Sequence, residues 1–394
     1  MIYLDNASTT FPKPDIVYDT VDKFSRQSAV NIGRGSYKAA RAAGLLAEDV
    51  RKGLQSLANA RGVSQVVLTP SATVAINQII RGAGLGEGSV AYLTPYEHNA
   101  VARTLYALEK TSKVKVIELP LKSDLSIDIE KTKELFAENH PDFVAVTAVS
   151  NVTGYELPYR EIFTAAKEYG AFALLDGAQA VGLKDIAFGE SRADALVFAG
   201  HKTLYAPFGV AGFILNSKVK LAPVITGGNG VDSENLTMPE HGPERYEAGS
   251  INSVAVAGLA AALDWIDPEE LEEREKELTE ILIKGLEENP QVVVYKAPDP
   301  ERQSGIVSFN VKGFTSGEVA AILDYQADIA VRAGHHCAAL IHKYLEDEEF
   351  DGVVRVSLGA FTEESHITAL LDALAELDGS LKAQIPPDVL RGNC

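Results

Sequence analysis

Seven short apolar runs between residues 65 and 215 constrain this chain more than any other feature. "QVVLTP" (65–70), "SVAYLTPY" (89–96), "KVKVIELP" (113–120), "DFVAVTAVS" (142–150), "AFALLDGA" (171–178), "ALVFAG" (195–200) and "GVAGFIL" (209–215) carry apolar side chains on both alternating faces. Strands of that kind are buried on both sides, the condition of a mainly parallel sheet covered by helices. Helical patterns at 71–82, 98–110, 128–138 and 159–169 lie between the runs and supply the cover. The alternation predicts a large α/β layered domain over 15–250.

The pattern changes after a loop rich in Gly, Asn, Ser, Glu and Pro at 226–250. A helical run over 252–288 contains Pro268, which must kink or split it. Then come "QVVVYKA", "GIVSFNVKG", a helix at 316–325, "ADIAVRAG", a helix near 337–345, "GVVRVSLG" and a final helix at 362–378. Together with residues 1–14, the segment 251–380 is expected to form a smaller α+β domain, with 381–394 as an extended tail.

Charge and cysteine usage narrow the setting. With 36 basic and 55 acidic residues the net charge is −19, which repels nucleic acid and anionic membrane. No apolar run approaches the roughly 20 residues of a membrane-spanning helix, and "MIYLDNASTT" does not read as a secretory signal. Two cysteines, Cys337 and Cys394, make no disulfide framework. The expectation is a reduced, soluble, cytoplasmic protein.

Ligands of open α/β sheets bind beyond the carboxyl ends of the strands, so the polar residues there carry the chemistry. After the first run, "SATVAIN" enters a helix, where free amides and the hydroxyls of Ser71 and Thr73 could cradle a phosphate. His98 follows the second run, and Asn151 the fourth. Asp176 closes "AFALLD", a costly place for a carboxylate unless it meets a partner such as a pyridinium N–H. Gln179 lies three residues on. Lys202, after "ALVFAGH", can lose its charge by desolvation and form a Schiff base. A phosphate cradle, a stacking His, an Asp and a strand-end Lys, in this order, are the parts of a pyridoxal phosphate site.

The ordered set "YLDNASTT", "NIGRGSYKAAR", "SATVAIN", "EHNA", "SNVTG", "LLDGAQAVG", "FAGHKTLYAPFG", "RYEAGSIN", "VRAGHHCA" and "VRVSLGAFTEES" resembles the class V aminotransferase family of fold-type I pyridoxal phosphate enzymes. Within it, the chain is most similar to the group II cysteine desulfurases and selenocysteine lyases. The resemblance implies the following roles. Lys202 holds the cofactor and moves the Cα proton, Asp176 pairs with the pyridine nitrogen, and His98 stacks on the ring. Ala72, Thr73 and His201 hold the phosphate, with Ser250 reaching into the neighbouring subunit of a homodimer with shared sites. Gln179 and Asn151 lie near the cofactor or substrate, Arg355 clamps the substrate carboxylate, and Ala7 and Ser8 line the substrate pocket. Two departures stand out: Ala199 replaces the usual Ser or Thr, and Val74 the usual Glu.

For Cys337 three fates compete. Adjacent His335, His336 and Cys337 cannot easily face one ion, and no second ligand cluster follows, so no metal is expected. A buried inert thiol fits poorly with the polar, Gly-containing "AGHHCA". The third fate is a nucleophile: a nearby imidazolium would raise the small thiolate fraction of a free cysteine. The resemblance implies that Cys337 takes sulfur from L-cysteine as a persulfide, leaving L-alanine and passing the sulfur to an acceptor protein, with iron–sulfur cluster assembly among the pathways served. A selenocysteine lyase or a cysteine/cystine C–S lyase is the rival within the fold, and a non-catalytic sulfur-trafficking protein the rival outside it. Cys394 reads as a tail thiol, with sulfur relay from Cys337 as the sharper alternative.

Overall fold

A computed structural model describes residues 1–32, 35–230 and 234–377, and the expected tail with Cys394 lies outside them. The seven apolar runs form one seven-stranded sheet. In chain order the first elements are β1 (Ile2–Tyr3), α1 (Asp15–Gln27), α2 (Lys38–Leu57), β2 (Ser64–Thr69), α3 (Ala72–Gly82), β3 (Val90–Leu93) and α4 (Asn99–Ser112). Next come β4 (Lys115–Glu118), α5 (Ile129–Glu138), β5 (Phe143–Thr147), α6 (Tyr159–Lys167), β6 (Phe172–Asp176), β7 (Ala195–Ala199) and β8 (Ala211–Asn216).

The spatial order is β2-β8-β7-β6-β5-β3-β4. Pairings from β4 through β7 are parallel, while β8 runs antiparallel to both β7 and β2. Every residue of β5 and β7 is buried, as two-sided helical cover requires. Helices begin where the sequence offers a cap: Ser71 Oγ accepts the amide of Val74, and Asp128 accepts that of Lys131. Helices α1 and α2 have no counterpart among the helical stretches expected from the sequence. In α2, Ala40, Ala43, Ala47, Val50 and Leu54 are buried at three- and four-residue spacing, a helical stripe with small side chains.

The remaining elements are α7 (Ser253–Trp265), α8 (Pro268–Glu288), β9 (Val292–Tyr295), β10 (Ile306–Val311), α9 (Ser316–Ala327), β11 (Ile329–Ala330), β12 (Arg332–Gly334), β13 (Val353–Ser357) and α10 (Glu364–Ala375). Pro268 does split the helical run: Asp267 caps α8 and Pro268 takes its first position, where the missing N–H costs nothing. A second, antiparallel sheet has the order β12-β13-β10-β9. It shares a core with the flanking helices through Leu282, Val307, Phe309, Val354, Val356 and Ile367. Residues 2–3 join here too, because β1 pairs in parallel with β11 and Asp5 bridges to Ser357.

The expected helix near 337–345 does not form. Only a single 3-10 turn, Ile341–Lys343, is present. His336 and Cys337 both adopt positive φ, 48° and 56°, a left-handed conformation that excludes a right-handed helix start.

Candidate active site

The carboxyl ends of the parallel strands converge on one cavity of about 230 Å³. The end of β2 brings Ser71, Ala72 and Thr73, β3 brings His98, and β5 brings Thr147 and Asn151. From β6 come Asp176 and Gln179, and from β7 Ala199, His201 and Lys202. The second sheet closes the cavity with Arg332, His336, Cys337 and Arg355, and the N-terminal segment adds Ala7 and Ser8. Every site residue expected from the sequence lies in this lining except Ser250. That residue is exposed, its hydroxyl bonded to Asn31 Nδ2 at 3.0 Å.

Burial sets the charge states. Lys202 is pushed down to about 8 by desolvation, opposed by the Asp176 carboxylate. Asp176 itself is raised by burial, with the Ala178 amide and Lys202 holding it back. His98 caps α4, its Nδ1 accepting the Ala100 amide at 3.0 Å. Burial first, then the surrounding cations led by Lys202, lowers it to about 4, so a neutral ring faces the cavity. His201 is lowered to about 4 for the same reasons, and its buried Nδ1 has no partner among the described residues.

Arg332 and Arg355 are direct cross-strand partners on β12 and β13, so their guanidinium groups stand on one face. Like charges so placed repel, and the structure answers with one carboxylate and one hydroxyl. Arg355 donates to Asp5 Oδ1 at 2.6 Å, to Ser8 Oγ at 3.0 Å and to the Asn151 carbonyl at 2.9 Å. Arg332 donates to the same Ser8 oxygen at 3.0 Å, while Ser8 donates to Asp5 at 2.8 Å. Two cations against one anion leave one positive charge over. Arg355 Nε, buried, has no partner among the described residues. A cavity wall of this kind suits a carboxylate ligand.

The thiol of Cys337 is exposed, 4.0 Å from an Arg332 nitrogen. Two consecutive left-handed non-glycine residues cost about 1–3 kcal/mol each unless the surroundings fix them. They are fixed: Asn151 Nδ2 donates to the His336 carbonyl at 2.7 Å, and the Asn99 amide to that of Cys337 at 2.6 Å. Asn151 therefore spends its amide group on the thiol loop. Gln179 similarly donates to the Ala7 carbonyl at 2.9 Å.

Three contributors carried no role in the sequence reading: Arg332, Asp5 and Glu97. Each sits inside a quoted or adjoining stretch, but its contacts depend on strand register. Glu97 is fully buried, its Oε1 accepting the Thr94 hydroxyl at 2.8 Å and the Thr147 amide at 2.6 Å. Burial, and then the nearby Asp176, raise it to about 8.

This donor set fits pyridoxal phosphate. The first-turn amides of α3 lack intrahelical acceptors, and with Thr73 and the unpartnered His201 Nδ1 they can hold a phosphate. Lys202, Asp176 and His98 supply an amine, an acceptor for a ring N–H, and a neutral stacking face.

Comparisons with known proteins agree with that fit. The family model described as aminotransferase class-V matches residues 2–370. A "probable cysteine desulfurase" from Halalkalibacterium halodurans is 32% identical over 386 residues, covering 95% of this chain and 92% of the relative. A cysteine desulfurase from Escherichia coli O157:H7 is 30% identical over 390 residues, with 96% and 93% covered. Among solved structures, an apo cysteine desulfurase from Thermococcus onnurineus superposes with a TM-score of 0.88 at 28% identity, covering 95% of this chain and 94% of that one.

Proposed function

The chain belongs to the aminotransferase class-V family, and from that premise we propose that it is a cysteine desulfurase that releases L-alanine from L-cysteine and keeps the sulfur on Cys337 as a persulfide. The observation that carries this reading is the shared cavity: the exposed Cys337 thiol faces the same space as Lys202 and the Arg332–Arg355 pair.

Pyridoxal phosphate, when bound, draws electron density from the substrate's Cα and so makes its sulfur open to nucleophilic attack. The chain supplies the rest. Lys202 Nζ, whose pKa burial lowers to about 8, can hold the cofactor and take and return a proton at the substrate's Cα. The Asp176 carboxylate, buried beside it, accepts the ring N–H. Arg355 and Arg332 bind the substrate carboxylate and so orient the side chain towards Cys337. Cys337 Sγ attacks the substrate sulfur, a new S–S bond forms, and the C–S bond breaks with its electron pair left on the carbon side. Protonation of that carbon completes alanine. Arg332 lies 4.0 Å from Sγ, on the same side of the cavity as the attacking thiol.

We further read the protein as a cytoplasmic homodimer in which Ser250 serves the partner's phosphate site, and as a sulfur donor to an acceptor protein, in iron–sulfur cluster assembly or a related pathway. Among the described residues no helix is long and apolar enough to cross a membrane. The deciding experiment compares Cys337→Ser with the parent protein on cysteine, selenocysteine and cystine. Loss of alanine release from cysteine, with the cofactor absorbance intact, is the expected result. Undiminished alanine release from cysteine would overturn the persulfide mechanism, and pyruvate with ammonia in place of alanine would assign the chain to C–S lyase chemistry instead.

A further inference from the structure

We propose that His342 and Asp347, neither of which lines the cavity, form a clamp that positions the Cys337 thiol for sulfur transfer. The pair is almost completely enclosed, at 6% and 1% exposure. Nδ1 of His342 lies 2.5 Å from Asp347 Oδ2, and Nε2 lies 3.1 Å from the carbonyl of His335. A carbonyl only accepts, so Nε2 carries a hydrogen, and the contact with Asp347 needs a second proton between ring and carboxyl. With both protons in place the unit is neutral overall and each of these contacts is satisfied. The His335 ring packs edge-on against that of His342 at 4.8 Å, fixing the residue from its side chain as well as its carbonyl.

The carbonyl of His335 is the entry to the left-handed pair. It also accepts the Ala338 amide at 2.9 Å, which closes a turn around His336 and Cys337. The carbonyls of His336 and Cys337 are held by Asn151 and Asn99. Three successive carbonyls are thus pinned from three places: the downstream turn, the end of β5 and the start of α4. The His342–Asp347 pair supplies a pin whose side chains do not line the cavity. Removing it frees the upstream end of the turn while leaving every cavity-lining side chain unchanged.

The inference rests on Cys337 as sulfur acceptor, and the experiment separates the two. Three variants are compared in the full-length holoenzyme: His342→Phe, Asp347→Ala and Asp347→Asn. The first two are expected to slow alanine release roughly tenfold to a hundredfold, with cofactor absorbance and the spectral response to cysteine binding unchanged. In the same proteins stripped of cofactor, iodoacetamide should alkylate Cys337 faster than in the parent, because the loop opens. Asp347→Asn should recover most of the rate, since its amide can donate to Nδ1 while Nε2–H stays on the carbonyl. The proposal falls if His342→Phe keeps its turnover within about twofold. It also falls if activity is lost only in proportion to cofactor content, or if Asp347→Asn is as impaired as Asp347→Ala. Full alanine release by Cys337→Ser would instead sink the desulfurase reading, and the alkylation rates would still report on the clamp.

Discussion

The guanidinium of Arg355 donates to the carboxylate of Asp5 at 2.6 Å, tying β13 to the segment that follows β1. It also donates to the Ser8 hydroxyl and the Asn151 carbonyl. A lysine has the charge but not the planar fork to serve three acceptors in fixed directions. Arg355→Lys should raise KM for cysteine at least about tenfold, the loss of one charge-assisted contact, with the cofactor absorbance preserved. Steady-state kinetics with a parallel spectrum checks it. An unchanged KM would mean that the substrate carboxylate is bound elsewhere.

Lys202 predicts a pH dependence for cofactor capture. Burial disfavours its ammonium and lowers it to about 8, while Asp176 pulls in the opposite direction. Only the free amine reacts with an aldehyde. Capture of pyridoxal phosphate by the cofactor-free protein should therefore quicken as pH rises towards about 8 and level off above it. Removing the charge at Asp176 removes the group that favours the ammonium, so Asp176→Asn should move the midpoint to lower pH. Stopped-flow absorbance measures both profiles.

Glu97 predicts a stability profile. Its raised value of about 8, against 4.5 for the free side chain, is caused first by burial and then by Asp176. Between those values the folded chain binds more protons at this site than the unfolded chain, so stability falls as pH rises. The contribution is fully present below about 4.5 and lost as pH passes through 8. Glu97→Gln keeps the shape without the titration. Its urea midpoint should lose less than the parent's between pH 5 and 8, a difference of up to a few kcal/mol. Identical slopes for the two proteins would refute the assignment.

Ala199 offers a gain-of-affinity test. It lines the cavity at the end of β7 and is buried, where related proteins are expected to carry a hydroxyl. Ala199→Ser adds a donor facing the phosphate cradle. A hydrogen bond to a charged group contributes about 1.5–3 kcal/mol at best, so cofactor affinity should rise severalfold. Equilibrium dialysis or the absorbance titration reads it, and weaker binding would place the phosphate away from β7.

Arg332 predicts thiol reactivity. Its guanidinium nitrogen is 4.0 Å from Cys337 Sγ, where its charge attracts an anionic reagent to the sulfur. Arg332→Gln should slow alkylation of Cys337 by iodoacetate, an anion, about threefold to tenfold at neutral pH, and leave alkylation by neutral iodoacetamide little changed. The direction is opposite to that expected for the His342 and Asp347 variants, which distinguishes an electrostatic effect on the sulfur from a mechanical one on its loop.

The large sheet was legible because its strands are apolar on both faces, a pattern that amphipathic helices do not share. The polar residues at the strand ends were legible for a related reason: Asp176 and Lys202 interrupt apolar runs, where charge is costly. What escaped depends on register between distant strands. Arg332 acquires its meaning from standing opposite Arg355, and nothing in "AVRAG" announces that neighbour. The helix expected near 337–345 failed because "AALIHKYL" has helical spacing, while the backbone at His336 and Cys337 is held left-handed by Asn99 and Asn151. Those partners lie some two hundred residues upstream, beyond the reach of local pattern.

The pairing of Asp5 with Arg355 also sets an order of events during synthesis. The strands that present Lys202 and the phosphate cradle leave the ribosome well before β12 and β13. A nascent chain can thus carry Thr73 and Lys202 while it still lacks Cys337 and Arg355. No stretch of chain ending before Arg355 contains the whole cavity. The cavity is therefore complete only after the C-terminal strands have folded back onto the first residues made.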